Sequence, residues 1–173
     1  TARLIPSEGD GPGAIEAHVP VFIDRQMTNY YGNADIWYME GPHDPAATPD
    51  RGWQSPLTPA QLYRKAIPAF NVACQERFGK EFKSLSTEQQ NEALTALQKG
   101  EIKLEPELSF FFTTLLANTK EGYFADPVHG GNHGMESWKY IGFPGARASY
   151  MEWVDQHNKQ YPLGPVSIKG ERA

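Results

Sequence analysis

The feature that most constrains the fold is the stretch Thr58–Gly79, in which the start, the buried face and the end of a helix are all marked. Thr58 can cap the first turn, Pro59 suits the first helical position, and Gln61 can complete a capping box. Gly79 is the residue type that commonly ends a helix. The apolar positions between them repeat with helical spacing. They are Leu62, Tyr63, Ala66, Ile67, Phe70, Ala73, Cys74 and Phe78. The stretch predicts a long amphipathic helix.

Three further segments have helical patterns. Ser86–Gln89 forms a second capping box, and that helix is expected to end at Gly100. Another helix is expected from about Pro106 to Gly122. The stripe Ile15–Met27 is also helical, and Pro20 either bends it or marks where its regular part begins. The sequence therefore predicts a mainly α fold: an irregular helical single domain with long loops and extended N- and C-terminal segments.

The domain organisation follows from the chain length and the glycine and proline breaks. A chain of 173 residues is most simply one domain. We expect a helical domain over residues 1–155 and an extended tail over 156–173. Tyr30–Thr58 has many glycine and proline breaks and predicts a long loop, with a short strand as an option at Ile36–Met39. Ala146–Asp155 is interpreted as a last helix.

The charge and cysteine content restrict the class of protein. The net charge is −5 and the basic residues are scattered, so there is no basic surface for nucleic acid. No stretch approaches the roughly 20 apolar residues that a membrane span requires. The only cysteine, Cys74, cannot form an internal disulfide. It lies on the apolar face of its predicted helix, where a buried, unreactive thiol is expected; an intermolecular partner remains the alternative.

Aromatic residues crowd into the segment from Phe110 to Ala146. This segment contains Phe110–Phe112, Tyr123, Phe124, Trp138, Tyr140 and Phe143. Some of these side chains are expected in the core. Others lie on glycine-rich loops, where complete burial is difficult in a small domain. An aromatic patch that stays partly exposed is typical of a protein interface.

One enzymatic alternative is a metal site. Asp126, His129 and His133 lie within eight residues, and their side chains are common metal ligands. The spacer Gly130-Gly131-Asn132 is a poor helix, however, and no established metal motif is present. Asp126-Pro127 and the glycine pair are turn sequences. The segment also lacks a nucleotide-binding glycine motif and a nucleophile elbow.

Several motifs resemble those of a known family. They read RLIP, GPGAIEAHVPVFID, LTPAQLYR and FFTTLLANTKEGYFADPVHGGNHGMESWKYIGFPGA. Together they cover about Ala2 to Tyr150 and are similar to the gluconate 2-dehydrogenase subunit 3 family, the small subunits of bacterial membrane-associated FAD-dependent dehydrogenases. Ser137 stands where that family usually has Gly before the Trp. Relatives also often have other residues at His129 and His133, which argues against a metal site.

The resemblance implies a chain that is not an enzyme by itself, and that holds neither cofactor nor catalytic residues. Its partner would be a large FAD-containing subunit of the glucose-methanol-choline type, which oxidises gluconate, glucose, fructose, sorbitol or a similar compound with an acceptor other than NAD or oxygen. A multihaem cytochrome c subunit usually passes the electrons to membrane quinone. The resemblance also implies twin-arginine export, which fits a start at Thr1 without Met, and a location in the periplasm.

We therefore expect the small subunit to act through a surface that covers its partner. The residues predicted to lie in or directly beneath this interface are aromatic side chains together with loop residues that set its path. They are Tyr123, Phe124, Asp126, His129, Asn132, Trp138 and Phe143, with Trp37 and Trp53 as secondary anchors.

Overall fold

The computed structural model describes residues 1–44 and 46–173. Within these residues the chain forms five α-helices and no strand, which confirms the predicted mainly α class. The α-helices are α1 (Val19–Met27), α2 (Pro59–Phe78), α3 (Thr87–Gln98), α4 (Phe111–Phe124) and α5 (Glu136–Ile141). Short 3-10 turns cover Pro49–Arg51, Phe82–Ser84, Pro106–Leu108, Pro127–His129, His133–Met135 and Met151–Trp153.

The ends of α2 lie where the sequence predicts them. Thr58 Oγ1 accepts a hydrogen bond from the backbone N–H of Gln61 at 3.3 Å, and the Gln61 side chain accepts one from the N–H of Thr58 at 3.0 Å. Gly79 has φ 75° and donates its N–H to the carbonyl oxygen of Gln75. The capping box therefore satisfies two amides that the first turn leaves without helical partners.

The start of α3 repeats this arrangement, since Ser86 and Gln89 form a second reciprocal capping box. The third predicted helix is interrupted: a 3-10 turn at Pro106–Leu108 precedes α4. In the stripe Ile15–Met27 the regular helix begins at Val19, next to Pro20, as one of the two interpretations predicts. Proline is tolerated there because the first helical amides have no partner within the helix.

Two local predictions are wrong. Residues 36–39 form a turn and irregular backbone rather than a strand. The helix predicted at Ala146–Asp155 is reduced to a single 3-10 turn, Met151–Trp153. There the Ser149 hydroxyl accepts a hydrogen bond from the N–H of Met151 at 3.2 Å, which offers the backbone a turn in place of a helix. The predicted long loop after Tyr30 does lack α-helix in its described part; Pro45 lies outside the described residues.

The described chain divides into two compact units, residues 26–117 and a terminal unit of residues 1–25 and 118–173. The 26–117 unit is built around the buried face of α2. Phe111 meets Tyr63 edge to face, with ring centroids 5.7 Å apart. Phe82 packs on Phe70 at 5.3 Å. The core of this unit is thus the apolar stripe that the sequence predicts for α2.

The terminal unit has a core assembled from separate parts of the chain. Its α1 residues Val19, Phe22 and Ile23 are buried, as are Tyr123 and Trp138. The last segment contributes as well. Its buried residues are Pro165, Val166 and Ser167. This segment of the predicted tail is therefore packed within its own unit. The boundary at residue 155 stays a prediction.

No helix in the described part of the chain has both the length and the apolar character needed to cross a membrane.

Candidate functional site

The end of α4 places two neighbouring aromatic residues in opposite environments. Tyr123 is buried and donates its hydroxyl to the carbonyl oxygen of Pro12 at 2.7 Å, whereas the side chain of Phe124 is 46% exposed. Consecutive helical residues point about 100° apart, so one ring can enter the core while the next leaves it. The two rings still touch edge to face, with centroids 4.9 Å apart.

The hydroxyl of Tyr123 is held in its protonated form. Burial raises its pKa, and the neighbouring Tyr140 and Glu16 raise it further. A phenol that stays neutral keeps its proton for the bond to Pro12 and does not act as a base. The interaction therefore anchors the N-terminal segment on α4.

Asp126 organises the backbone after α4. Its Oδ1 accepts a hydrogen bond from the N–H of Val128 at 3.1 Å, which caps the 3-10 turn Pro127–His129. Its Oδ2 accepts another from the N–H of Ile168 at 2.7 Å. Both carboxylate oxygens are thus used within the chain, and Asp126 joins the turn to the C-terminal segment.

Asn132 is the centre of a buried polar network. It is fully buried and has φ 44°, in the left-handed region that asparagine tolerates better than most residues. Its Nδ2 donates to the carbonyl oxygen of Ala125 at 3.0 Å, and its Oδ1 accepts from the N–H of Ser137 at 3.2 Å. The Ser137 hydroxyl also lies against Asn132 Oδ1 and the carbonyl oxygen of Tyr123. The network ties the start of α5 to the end of α4.

Two glycines allow close approaches to α4: Gly131 lets the loop pack on it, and Gly122 lets α1 pack on it. A Cβ atom on Gly131 would lie 2.0 Å from the carbonyl oxygen of Gly122, and one on Gly122 would lie 2.7 Å from the ring of Phe22. Real side chains do not fit at these distances. Gly131 thus has a packing role in addition to the turn chemistry of the glycine pair.

Trp138 is a buried residue that contacts both Phe124 and Phe143. Only 6% of its surface is exposed, and its Nε1–H donates to the carbonyl oxygen of Phe124 at 2.8 Å. Its ring meets Phe143 edge to face at 5.0 Å. Phe143 is itself 44% exposed. Trp138 therefore holds two exposed aromatic residues in place.

The exposed apolar side chains around this network form what we call the apolar rim. The rim consists of Phe124, Tyr140, Ile141 and Phe143. Of the predicted interface residues in this unit, Phe124, His129 and Phe143 are exposed, whereas Tyr123, Asn132 and Trp138 are buried beneath them. Tyr140 and Ile141 were not predicted as interface residues; they form the last turn of α5, after its buried residues Ser137 and Trp138.

Trp37 and Trp53, the predicted secondary anchors, lie in the 26–117 unit. Their rings touch at 5.1 Å, and Trp53 continues to Phe110 at 5.5 Å. The indole N–H of Trp53 donates to the carbonyl oxygen of Leu57 at 2.9 Å. Both tryptophans are half-buried. They anchor their own loop, and their place in an interface stays a prediction.

The structure does not assemble the alternative metal site. Among the described residues, no three His, Cys, Asp or Glu side chains are grouped so that they could hold a metal ion. Asp126 is bonded to two backbone amides, as described above. The ring of His133 instead stacks on that of His18, with centroids 4.0 Å apart and planes 11° from parallel. These two histidines are 115 positions apart, and no local pattern in the sequence indicates their contact.

Cys74 is buried on α2, which confirms the interpretation of a buried thiol. Burial raises the pKa of this thiol. A nucleophilic cysteine needs the opposite shift, because the thiolate is the reactive form. Cys74 is therefore a core residue.

These features define a mainly helical protein that exposes apolar side chains, next to a buried hydrogen-bond network, at one aromatic segment. The sequence model of the family described as gluconate 2-dehydrogenase subunit 3 matches residues 1–145 of the 173-residue chain. The chain belongs to this family, and the resemblance seen in its motifs is confirmed. It is thus an accessory subunit of a dehydrogenase complex. No curated protein and no solved structure matches it.

Proposed function

We propose that this chain is the non-catalytic small subunit that binds, stabilises and helps export the FAD-containing catalytic subunit of a periplasmic sugar, sugar-acid or alcohol dehydrogenase. The partner is a large subunit of the glucose-methanol-choline type, and a multihaem cytochrome c subunit receives the electrons. The whole complex associates with the membrane through these partners. The family membership supports the accessory role, and the aromatic segment supports a surface through which it is exerted.

The observation that carries the proposal is the apolar rim, which lies beside the buried network of Asn132 and Ser137. Its four side chains are between 44% and 60% exposed, although they lie around a network that is fully buried. Rigid aromatic residues lose little conformational entropy on binding and are enriched in interface cores. A rim of this kind favours docking of a partner over catalysis by the chain itself.

The chain's own residues support placing both cofactors in the partners. Covalent attachment of haem c uses a pair of cysteines next to a histidine, whereas this chain has one cysteine, which is buried. The glycine-rich motif that binds the pyrophosphate of FAD follows a strand, and no such motif is present in the sequence. FAD and haem c are therefore assigned to the catalytic and cytochrome subunits.

The interface is tested by co-expressing the chain with its catalytic subunit and measuring recovery of the yellow complex. Phe124→Ala and Phe143→Ala remove exposed rings while leaving the buried network intact. Each is expected to weaken binding by roughly 1–3 kcal/mol, or about 5- to 150-fold. Ile67→Ala is the matched control, since Ile67 is 49% exposed on α2 of the other unit. Equal recovery of all three variants would contradict the proposed interface.

Export is tested separately by cell fractionation. If the chain helps to export its partner, the catalytic subunit accumulates in the periplasm only when the small subunit is produced with it. Equal periplasmic amounts of the catalytic subunit without the small subunit would contradict this part of the proposal and leave the binding role standing.

A further inference from the structure

The segment after the family match folds into a closed loop. The match ends at residue 145, and Gly145 forms a parallel bridge with Val166. The N–H of Ala146 donates to the carbonyl oxygen of Val166 at 2.7 Å, and the Arg147 guanidinium donates to that of Gly164. The ends of residues 147–164, which we call the C-terminal loop, are therefore held together.

Three aromatic side chains and one arginine of the C-terminal loop pack against one another while each stays partly exposed. Tyr161 meets Tyr150 at 5.7 Å and Trp153 at 5.2 Å, both nearly edge to face. The guanidinium of Arg147 lies 5.5 Å from the centre of the same ring. A long surface loop whose ends are joined and whose side chains pack on one another is a common place for a functional surface.

The loop exposes three large apolar side chains among its polar ones. Met151 is 78% exposed, and Val154 and Leu163 are more than half exposed. The loop also forms one wall of a cleft of about 240 Å³, whose other wall contains Phe143 of the apolar rim. The cleft therefore lies between Phe143 of the rim and Leu163 of the loop, and its lining also includes the polar side chains of Lys139 and Gln160.

We propose that the C-terminal loop extends the docking surface for the catalytic subunit of the dehydrogenase complex, with an apolar side chain of that subunit entering the cleft beside Phe143; this inference rests on the proposed function. The area argues for it. The four rim residues expose on the order of 400 Å², about half of the roughly 800 Å² per partner in a stable interface. The apolar residues of the loop supply an area of similar size.

The test replaces the three exposed loop residues together, Met151→Ser, Val154→Ser and Leu163→Ser, and leaves the Tyr161 cluster intact. The matched control is Ile36→Ser, Ile67→Ser and Val72→Ser, which alters three side chains of the 26–117 unit that are 49–74% exposed. Affinity for the purified catalytic subunit is then measured. The loop variant is expected to bind at least tenfold more weakly, and the control within twofold of the original chain. Circular dichroism checks that both variants remain folded.

The outcomes separate this inference from the proposed function. If the original chain does not bind the catalytic subunit, the proposed function fails and this inference with it. If the original chain and the loop variant bind equally well, only the role of the loop is overturned. A photo-activated cross-linking residue at position 163 gives a second measurement in the assembled complex. A cross-link to the catalytic subunit supports the inference, whereas a cross-link only to a second copy of the chain, or none at all, overturns it.

Discussion

Two regions of this protein maintain their structure by different means. In the 26–117 unit, α2 and α3 begin at capping boxes made by residues three positions apart, and α2 packs through a regular apolar stripe. In residues 118–145 of the terminal unit, the backbone is fixed by buried side chains such as Asn132 and by the close approach of Gly131 to Gly122. The helix starts of the first region depend on side chains three positions from the amides they bind. The backbone of the second region depends on side chains that bind groups 5 to 14 positions away, once the loop has folded back on α4.

This difference suits the two regions to different tasks. Regular helices stabilise a core through many apolar contacts, each of which contributes little and can be replaced by a side chain of similar size. A network of specific buried hydrogen bonds instead fixes the backbone next to surface residues such as Phe124 and Phe143. An accessory subunit that binds a partner needs this second property, because a pre-organised surface loses less entropy on association.

The largest predicted effect is that of Gly131→Ala. The new methyl group would lie 2.0 Å from a backbone oxygen, so the loop and α4 must separate. We expect a loss of about 3 kcal/mol or more in the free energy of unfolding, measured by chemical denaturation. Gly79→Ala is the control from the other region, since a Cβ atom there meets nothing within 4 Å. Gly79→Ala is expected to lower the free energy of unfolding by only about 1 kcal/mol, because alanine disfavours the positive φ at this position. Equal losses would remove the distinction between the regions.

Asn132→Ala is expected to have the next largest effect. It leaves the carbonyl oxygen of Ala125 and the N–H of Ser137 buried without their side-chain partner, at a cost of about 2–3 kcal/mol in the free energy of unfolding. Asn132→Gly separates the two contributions, because glycine accepts φ 44° but makes no side-chain hydrogen bonds. If the glycine variant is as stable as the original, the strain of the backbone matters and the network does not.

The caps of the regular helices give a smaller effect. Thr58→Ala and Ser86→Ala each remove one side-chain acceptor at a helix start, and each should lower the free energy of unfolding by about 1 kcal/mol. Thr58→Asp, which retains an acceptor, should recover most of that loss. Thermal unfolding followed by circular dichroism measures all three. A cap variant that loses as much as Asn132→Ala would show that the two regions do not differ as described.

The smallest effect concerns Cys74. Burial raises its thiol pKa above the ordinary value of 9.0, so the neutral form is favoured in the folded chain. The contribution of the neutral thiol to the free energy of unfolding is complete at pH values below the thiol pKa of the unfolded chain. It is lost as the pH rises through the thiol pKa of the folded chain. At pH 8 a thiol reagent should therefore leave the native chain unmodified, although it modifies one thiol after unfolding in guanidinium. Rapid modification of the native chain would contradict this placement of α2.

Prediction from sequence succeeded where the determining residues are close together. The boundaries of α2 follow from Thr58, Pro59 and Gly79, and the family resemblance follows from contiguous motifs. It failed at Ala146–Asp155, because a single turn-forming serine and distant contacts outweigh a short apolar pattern. It also missed the stacking of His18 on His133 and the return of the C-terminal segment to Asp126.

The sequence by itself determined the helical class, the capped helices, the buried thiol and the family, because helix signals and family motifs are local. Only the tertiary structure decided which aromatic residues of the segment from Phe110 to Ala146 stay exposed. Tyr123 and Phe124 are chemically similar neighbours, yet one lies in the core and the other at the surface. Their environments are set by Pro12, Asn132 and Trp138, residues brought to them by folding, and burial depends on such neighbours rather than on the type of residue.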